Sequence, residues 1–190
     1  MDLLKERIIK DGKVLEGNVL QVSSFLNHMV DTALLYEIGK EFASVFGPQK
    51  PTKIMTVEAS GIPFAAFCAY ELQIPFIIAK KHSSTNLPEN FYSAEVYSYT
   101  KRASANIRVS KDFILSEDKV VILDDFLAFG SAVDGLISII EEANATLLGV
   151  GICIEKSFQD GAANLASKNI NVHSLVRIKS LENGIVSFMD

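Results

Sequence analysis

Short apolar runs rich in β-branched residues alternate with helical stretches along most of this chain. The runs predicted to be buried strands are KIMTV, IPFIIA, KVVIL and GVGICI. The stretches with helical spacing are MDLLKERIIKDG, DTALLYEIGKEFASVF, GIPFAAFCAYELQ, FGSAVDGLISIIEEAN and DGAANLASKN. Buried strands separated by helices are typical of a parallel sheet with helices on both faces. We therefore predict an α/β fold.

The size and apolar content of the chain favour one domain across residues 1–190. A chain of 190 residues, 48% of them hydrophobic, can bury about 70% of its extended surface in one core. Division into two domains would leave two marginal cores. Cys68 and Cys153 each lie in an apolar run without a second metal ligand at the right spacing, so we predict two small buried hydrophobic residues.

The charge balance argues against nucleic acid or an anionic membrane as a partner. The chain has 18 Lys and Arg against 23 Asp and Glu, a formal charge of −5, whereas such partners require a basic excess. No signal-peptide pattern begins the sequence, and Glu71 interrupts the longest apolar stretch. We expect a cytoplasmic protein, and the charge remains compatible with a small anionic ligand.

The segment VVILDDFLAFGSA places two acids, Asp124 and Asp125, at the end of a strand, where parallel sheets bind ligands. Because consecutive residues point to opposite sides of a strand, one acid could face a ligand while the other braces the loop. The turn Ala128–Ala132 then opens a helix, whose free N–H groups suit a phosphate. The alternative is an ordinary acidic turn and helix cap. A Walker B strand is excluded because no Walker A loop precedes it.

The residues after Lys80 and Lys81 are polar as far as Tyr99, which predicts either a long mobile loop or a weak hairpin. The basic pairs Lys80-Lys81 and Lys101-Arg102 form a solvated face or steer a polyphosphate towards the site. The histidines show no metal-ligand spacing; they are His28, His82 and His173.

Taken together, these segments resemble type I phosphoribosyltransferases over essentially the whole chain. VVILDDFLAFGSA is similar to the family's phosphoribosyl pyrophosphate signature, and Glu58–Gly61 to its pyrophosphate loop. The polar residues 81–102 correspond to its flexible lid, and Glu155–Phe158 to its purine-recognition segment. The resemblance implies the type I phosphoribosyltransferase fold, with a small hood built from residues 1–35 and the C-terminal segment.

The resemblance also implies a role for each site residue. The residues implied to bind phosphoribosyl pyrophosphate are Ala128, Phe129, Gly130, Ser131 and Ala132, with Ala59 and Ser60 in the pyrophosphate loop. Asp124 and Asp125 would act in catalysis, holding the ribose hydroxyls and the surroundings of an Mg²⁺ ion that binds through the substrate. Leu20, Asn27 and Lys156 would bind the base. Phe129 is larger than the residue usual in its turn, and Asn27 replaces a hydroxyl residue of related enzymes.

The details most resemble family members that use xanthine, which implies a purine-salvage homodimer making xanthosine 5′-monophosphate. The alternatives are a hypoxanthine- or guanine-using relative and a purine-sensing regulator on the same fold. The regulator is disfavoured because the chain is acidic and has no added DNA-binding domain. The resemblance further implies a non-proline cis peptide in the pyrophosphate loop, which we place at Ala59–Ser60.

Overall fold

A central sheet with helices on both faces organises the computed structural model, which describes residues 1–81, 90–98 and 103–189. The helices are α1 (Asp2–Asp11), α2 (Thr32–Phe46), α3 (Ile62–Leu72), α4 (Ser131–Glu142) and α5 (Gly161–Ser167). The strands are β1 (Lys13–Leu15), β2 (Val19–Gln21), β3 (Lys53–Val57), β4 (Phe76–Ala79), β5 (Phe91–Ser98), β6 (Ala103–Ser110), β7 (Lys119–Leu127), β8 (Thr146–Lys156), β9 (Val172–Glu182) and β10 (Ile185–Phe188). A π-helical turn (Ser23–Asn27) and two 3₁₀ turns (Gly47–Gln49 and Lys111–Phe113) complete the elements of the described residues.

The strand order of the central sheet is β10-β9-β8-β7-β3-β4, and all neighbours except β9 and β10 run parallel. The predicted parallel sheet is therefore confirmed. Strand β10 is antiparallel because Asn183 and Gly184 both have positive φ, the combination that closes a tight hairpin. Because the parallel strands share a direction, their carboxyl ends form one edge where side chains from different strands meet.

Two apolar clusters lie on opposite faces of this sheet. One joins α2 and α3 to β7 through residues such as Phe42, Phe64 and Leu123. The other joins α4 to β7 and to the β5–β6 pair through Leu136, Ile122 and Ile107. Both cysteines are buried, unpaired members of this interior, as predicted.

Local signals in the sequence set the ends of the helices. Asp31 caps α2 by accepting a hydrogen bond at 3.2 Å from the Leu34 backbone N–H. Gly47 and Pro48 then end the helix in a 3₁₀ turn, and Gln73 ends α3 in the left-handed conformation. The predicted helices are confirmed at these positions. No helix in the described part of the chain has the length and apolar composition needed to cross a lipid bilayer.

Strand β7 is longer than its apolar run predicts. It continues past Asp125 to Leu127, so the expectation that the strand stops at the two acids is wrong. Phe126 and Leu127 pair with Ile154 and Glu155 of β8, and their side chains pack into opposite clusters. This pairing keeps the backbone extended beyond the acids.

The polar stretch contributes the first strand of a hairpin, β5, and the second strand, β6, follows beyond the end of that stretch. Strands β5 and β6 pair antiparallel from Phe91–Ser110 to Ser98–Ala103. The backbones of Lys80 and Arg108 exchange two hydrogen bonds of 2.9 Å, which attach the hairpin to the end of β4. The remainder of the predicted lid, residues 82–89 and 99–102, lies outside the described residues.

Candidate functional site

A cavity of about 160 Å³ opens at the carboxyl ends of β3 and β7. Its lining residues come from four segments: Val57, Glu58, Ser60, Lys81, Asp124, Asp125 and Ala132. The fold thus brings together the predicted acids, the predicted pyrophosphate loop and the first turn of α4. These segments are up to 75 residues apart in sequence, and the shared direction of the parallel strands brings them together.

Both acids border this cavity. Asp124 is buried, with 7% of its surface exposed, whereas Asp125 is half-buried. Each carboxylate accepts the next backbone N–H at 3.0 Å, Asp124 from Asp125 and Asp125 from Phe126. Both acids thus make a local backbone contact and line the cavity, and which of them faces a ligand stays a prediction.

The buried position of the acids disfavours their charged forms. Burial, with the neighbouring Asp125 carboxylate, raises the pKa of Asp124 to about 8. Burial also raises the pKa of Asp125, although hydrogen bonds from Asn27, the Phe126 N–H and Ser60 partly oppose this. An incoming cation or hydrogen-bond donor would therefore favour the charged forms and lower the pKa values of the pair.

The loop Glu58–Gly61 follows β3 and contains a cis peptide at Glu58–Ala59. The predicted position, Ala59–Ser60, is therefore wrong by one residue. The Glu58 carboxylate fixes the start of the loop by accepting the Lys81 backbone N–H at 2.6 Å and pairing with the Lys80 ammonium at 3.2 Å. Ser60 faces the cavity, whereas Ala59 is exposed beside it.

The turn Ala128–Ala132 leads from β7 into α4, which begins at Ser131. Gly130 has φ +87°, a conformation that favours glycine. The Ala128 carbonyl accepts the Gly161 N–H at 3.0 Å, which fixes the turn to the start of α5. The first N–H groups of α4 have no partner within the helix, so the turn offers donors and a positive dipole end to an anion.

The predicted base-binding residues approach the acids from the N-terminal segment and from β8. The Asn27 amide donates to Asp125 at 3.4 Å. The Lys156 ammonium donates to the Asn18 carbonyl at 2.9 Å and lies 5.8 Å from the centroid of the Phe126 ring. Burial lowers the pKa of Lys156, and Leu20 is buried in the β1–β2 hairpin. Asn27 is the member of this group that contacts an acid, whereas Lys156 lies near the ring of Phe126, the residue after Asp125.

Comparison with known proteins places the chain in a family. Residues 31–179 match the model of the phosphoribosyl transferase domain. The chain belongs to the phosphoribosyltransferase family. This assignment confirms the resemblance inferred from the sequence motifs, and it makes the protein a transferase.

Two curated relatives of this phosphoribosyltransferase match it from end to end. The xanthine phosphoribosyltransferase of Clostridium novyi (strain NT) is 51% identical over 188 residues, covering 99% of each chain. That of Streptococcus uberis is 50% identical over 190 residues, covering 100% of this chain and 98% of the relative. A solved APRTase from Giardia lamblia, in complex with 9-deazaadenine, is 19% identical with a TM-score of 0.78, covering 92% of this chain and 97% of that one. That last similarity supports the fold.

Three residues in or near the candidate site had no individual role in the sequence prediction, although the predicted segments Glu58–Gly61, 81–102 and Glu155–Phe158 contain them. Glu58 and Lys81 line the acid cavity. Glu155 is buried, and its two carboxylate oxygens each accept a serine hydroxyl at 2.6 Å, from Ser157 and from Ser174. The contacts of Glu58 with Lys80 and Lys81, and of Glu155 with Ser174 on β9, were not predictable, since they join segments distant in sequence. No cluster of three or more His, Cys, Asp or Glu side chains suited to a metal occurs within residues 1–81, 90–98 and 103–189.

Proposed function

We propose that this enzyme transfers the 5-phosphoribosyl group from phosphoribosyl pyrophosphate to xanthine, giving xanthosine 5′-monophosphate and pyrophosphate. The observation that carries the proposal is the end-to-end identity of about half with relatives named xanthine phosphoribosyltransferase. The local chemistry supports it, because two acids, the pyrophosphate loop and the first turn of α4 line one cavity, and Asn27 contacts Asp125 beside it.

The 5-phosphate would bind at the turn Ala128, Phe129, Gly130, Ser131 and Ala132. Backbone N–H groups at the start of α4 and the Ser131 hydroxyl supply donors, and the helix dipole favours negative charge there. Donors of the loop at Ala59 and Ser60 would receive the pyrophosphate on the opposite side of the acids. The substrate is then held at both charged ends, which fixes C1 of the ribose between them.

Asp124 and Asp125 would face the ribose between these two anion sites. Breaking the bond from C1 to pyrophosphate leaves positive charge on the sugar ring and negative charge on the leaving group. The two carboxylates would accept hydrogen bonds from the ribose hydroxyls and offset the positive charge. Lys81, which borders the same cavity, would attract the pyrophosphate.

Asp124 and Asp125 would form the surroundings of an Mg²⁺ ion that binds through the substrate, since carboxylate oxygens suit this cation and the waters that it keeps. The ion would arrive with phosphoribosyl pyrophosphate, because protein-bound Mg²⁺ usually combines one or two carboxylates with substrate phosphates. When bound, Mg²⁺ neutralises the growing charge of the leaving group.

Leu20, Asn27 and Lys156 would enclose the base. The Lys156 ammonium has three donors and no acceptor, so its bond to the Asn18 carbonyl leaves donors for an oxo group of the base. Xanthine presents an oxygen where guanine presents an amine, and an ammonium can donate a hydrogen bond only to the oxygen. The buried Leu20 side chain would supply an apolar contact, and Asn27 a further donor or acceptor.

A purine panel with a Lys156→Ala variant tests the proposal. The wild-type enzyme should have its highest kcat/KM with xanthine among xanthine, hypoxanthine and guanine. Lys156→Ala should raise the xanthine KM about 10- to 100-fold, because the base loses one hydrogen bond to a charged group. The KM of phosphoribosyl pyrophosphate should stay nearly unchanged. Lys168→Ala is the matched control, since Lys168 pairs with Asp134 on helix α4.

Preference of the wild-type enzyme for hypoxanthine or guanine would reject xanthine as the substrate. Equal loss of affinity for both substrates in Lys156→Ala would show that the lysine is structural. Absence of turnover with all three purines would show that the enzyme does not catalyse the proposed reaction.

A further inference from the structure

The Glu155 carboxylate lies inside the protein near the end of β8, one residue before Lys156. Only 7% of the Glu155 surface is exposed. Its Oε1 atom accepts the Ser157 hydroxyl at 2.6 Å, and its Oε2 atom accepts the Ser174 hydroxyl at the same distance. A buried carboxylate is costly unless hydrogen bonds replace its lost water, so these two bonds restrict where the side chain can lie. The carboxylate therefore ties the end of β8 to strand β9.

Backbone hydrogen bonds hold the residues on either side of this carboxylate contact. The Ser157 N–H donates to the Ile178 carbonyl of β9 at 2.9 Å. The Lys156 carbonyl accepts the Gln159 N–H, also at 2.9 Å. The residue after Lys156 is thus bonded to β9 through its backbone and to Glu155 through its side chain. These bonds set the position of the Lys156 backbone relative to β9.

The place of the Lys156 ammonium depends on both ends of its side chain. Lysine has a flexible four-carbon stem, so the backbone position decides from where the stem starts. At the far end, the ammonium donates to the Asn18 carbonyl in the turn between β1 and β2, at 2.9 Å. A binding group misplaced by about 1 Å can cost about 10²-fold in rate. A contact that fixes the Lys156 backbone therefore bears on what its ammonium can bind.

We propose that Glu155 is a positioning residue for selection of the base, its bonds to Ser157 and Ser174 holding the Lys156 ammonium where it meets an oxo group. The inference rests on the proposed function, which places xanthine at Lys156. Because the Glu155 carboxylate is buried and bonded to two serines, its effect on the base passes through the lysine. Loss of one serine hydroxyl leaves a buried oxygen without its donor, so the end of β8 shifts to find another.

Steady-state kinetics of Ser174→Ala test this role. The variant should raise the xanthine KM about 3- to 10-fold, less than Lys156→Ala, because a displaced ammonium keeps part of its contact. The KM of phosphoribosyl pyrophosphate should stay nearly unchanged. Ser174→Thr, which keeps the hydroxyl and suits a strand, should recover most of the affinity for xanthine. Ser157→Ala removes the other donor and should show the pattern of Ser174→Ala, which provides a second test if Ser174→Ala fails to fold.

A double-mutant cycle separates positioning of the lysine from a general effect on the sheet. In the Lys156→Ala background, adding Ser174→Ala should raise the xanthine KM no further, because the group that it positions is absent. Ser180→Ala is the matched control, since Ser180 also lies half-buried on β9, with its hydroxyl 2.6 Å from that of Ser187. It should leave the xanthine KM unchanged in both backgrounds, whatever its effect on thermal stability.

The outcomes distinguish the inference from the function on which it rests. An unchanged xanthine KM in folded Ser174→Ala would overturn the positioning role while leaving Lys156 as the base-binding residue. The same increase with and without Lys156 would also overturn it, as would equal increases of the KM for both substrates. Failure of Lys156→Ala itself to change the xanthine KM would reject the proposed base site and the positioning role with it.

Discussion

Replacing Asp124 with asparagine should stabilise the protein while impairing its activity. The folded state raises the pKa of this carboxyl from 3.8 to about 8, chiefly through burial. Each pKa unit corresponds to about 1.4 kcal/mol, so the ionised carboxylate costs the fold at most about 6 kcal/mol. Burying an incompletely bonded amide costs about 1–3 kcal/mol. We therefore expect Asp124→Asn to raise the free energy of unfolding by about 3 kcal/mol above pH 8.

The pH dependence of this gain has a definite sign. A carboxyl whose pKa is raised in the folded state binds protons more tightly there than in the unfolded chain, so its contribution to stability falls as pH increases from 3.8 to 8. Near pH 4 the wild-type carboxyl is protonated and only the amide cost remains, so Asp124→Asn should be less stable than the wild type by about 1–3 kcal/mol there, and its gain should be largest at pH 8.5. Urea unfolding at several pH values measures it through the midpoint at constant m.

Asp118 provides a control of opposite sign. Burial acts to raise the pKa of Asp118, but bonds from Lys53, the Leu115 N–H and Thr52 outweigh it and leave the pKa lowered. Its contribution is present above pH 3.8 and is lost as pH falls below that value, so Asp118→Asn should destabilise the protein at pH 8.5. A variant Asp124→Asn no more stable than the wild type at pH 8.5 would refute the reasoning.

Two other substitutions probe neighbouring residues. Asp125→Asn should lower kcat about 10²-fold or more while the protein stays folded, because a transition-state electrostatic contact is lost; unchanged turnover of a folded variant would contradict this role. Ser174→Ala should lower the free energy of unfolding by about 1–3 kcal/mol, because a Glu155 oxygen loses its donor inside the protein. Thermal unfolding measures the second effect, with Ser167→Ala as an exposed control, and equal melting temperatures of the two variants would argue against the Glu155 contacts.

The fold followed from the sequence because its signals are local. Asp31 caps α2 through a contact three residues away. The continuous apolar residues of β7 predict a strand buried on both faces of the sheet, and this strand is observed. The end of β7 was predicted too early, since its last pairs depend on β8 rather than on its own residues. For residues 90–98, the polar composition did not distinguish between a hairpin strand and a mobile loop.

Only those site residues that belong to the family motifs could be predicted from the sequence. Asp124, Asp125, Ser60 and Ala132 meet at one cavity as expected, although their roles stay predictions. The supporting contacts were not predictable, because they join distant segments: Tyr97 is 34 residues from Ser131, and Asn27 is 98 residues from Asp125. The hood, the homodimer and the cytoplasmic location also stay predictions.

The attachment of the hairpin to β4 bears on the solubility of the chain. Strand β4 is the last strand of the sheet, and its outer backbone groups form a template on which another chain could add a strand. The bonds between Lys80 and Arg108 close this edge where β4 ends, and its length of four residues limits what remains. A shortened chain without β5 and β6 would lose this protection, so aggregation would accompany the loss of the hairpin.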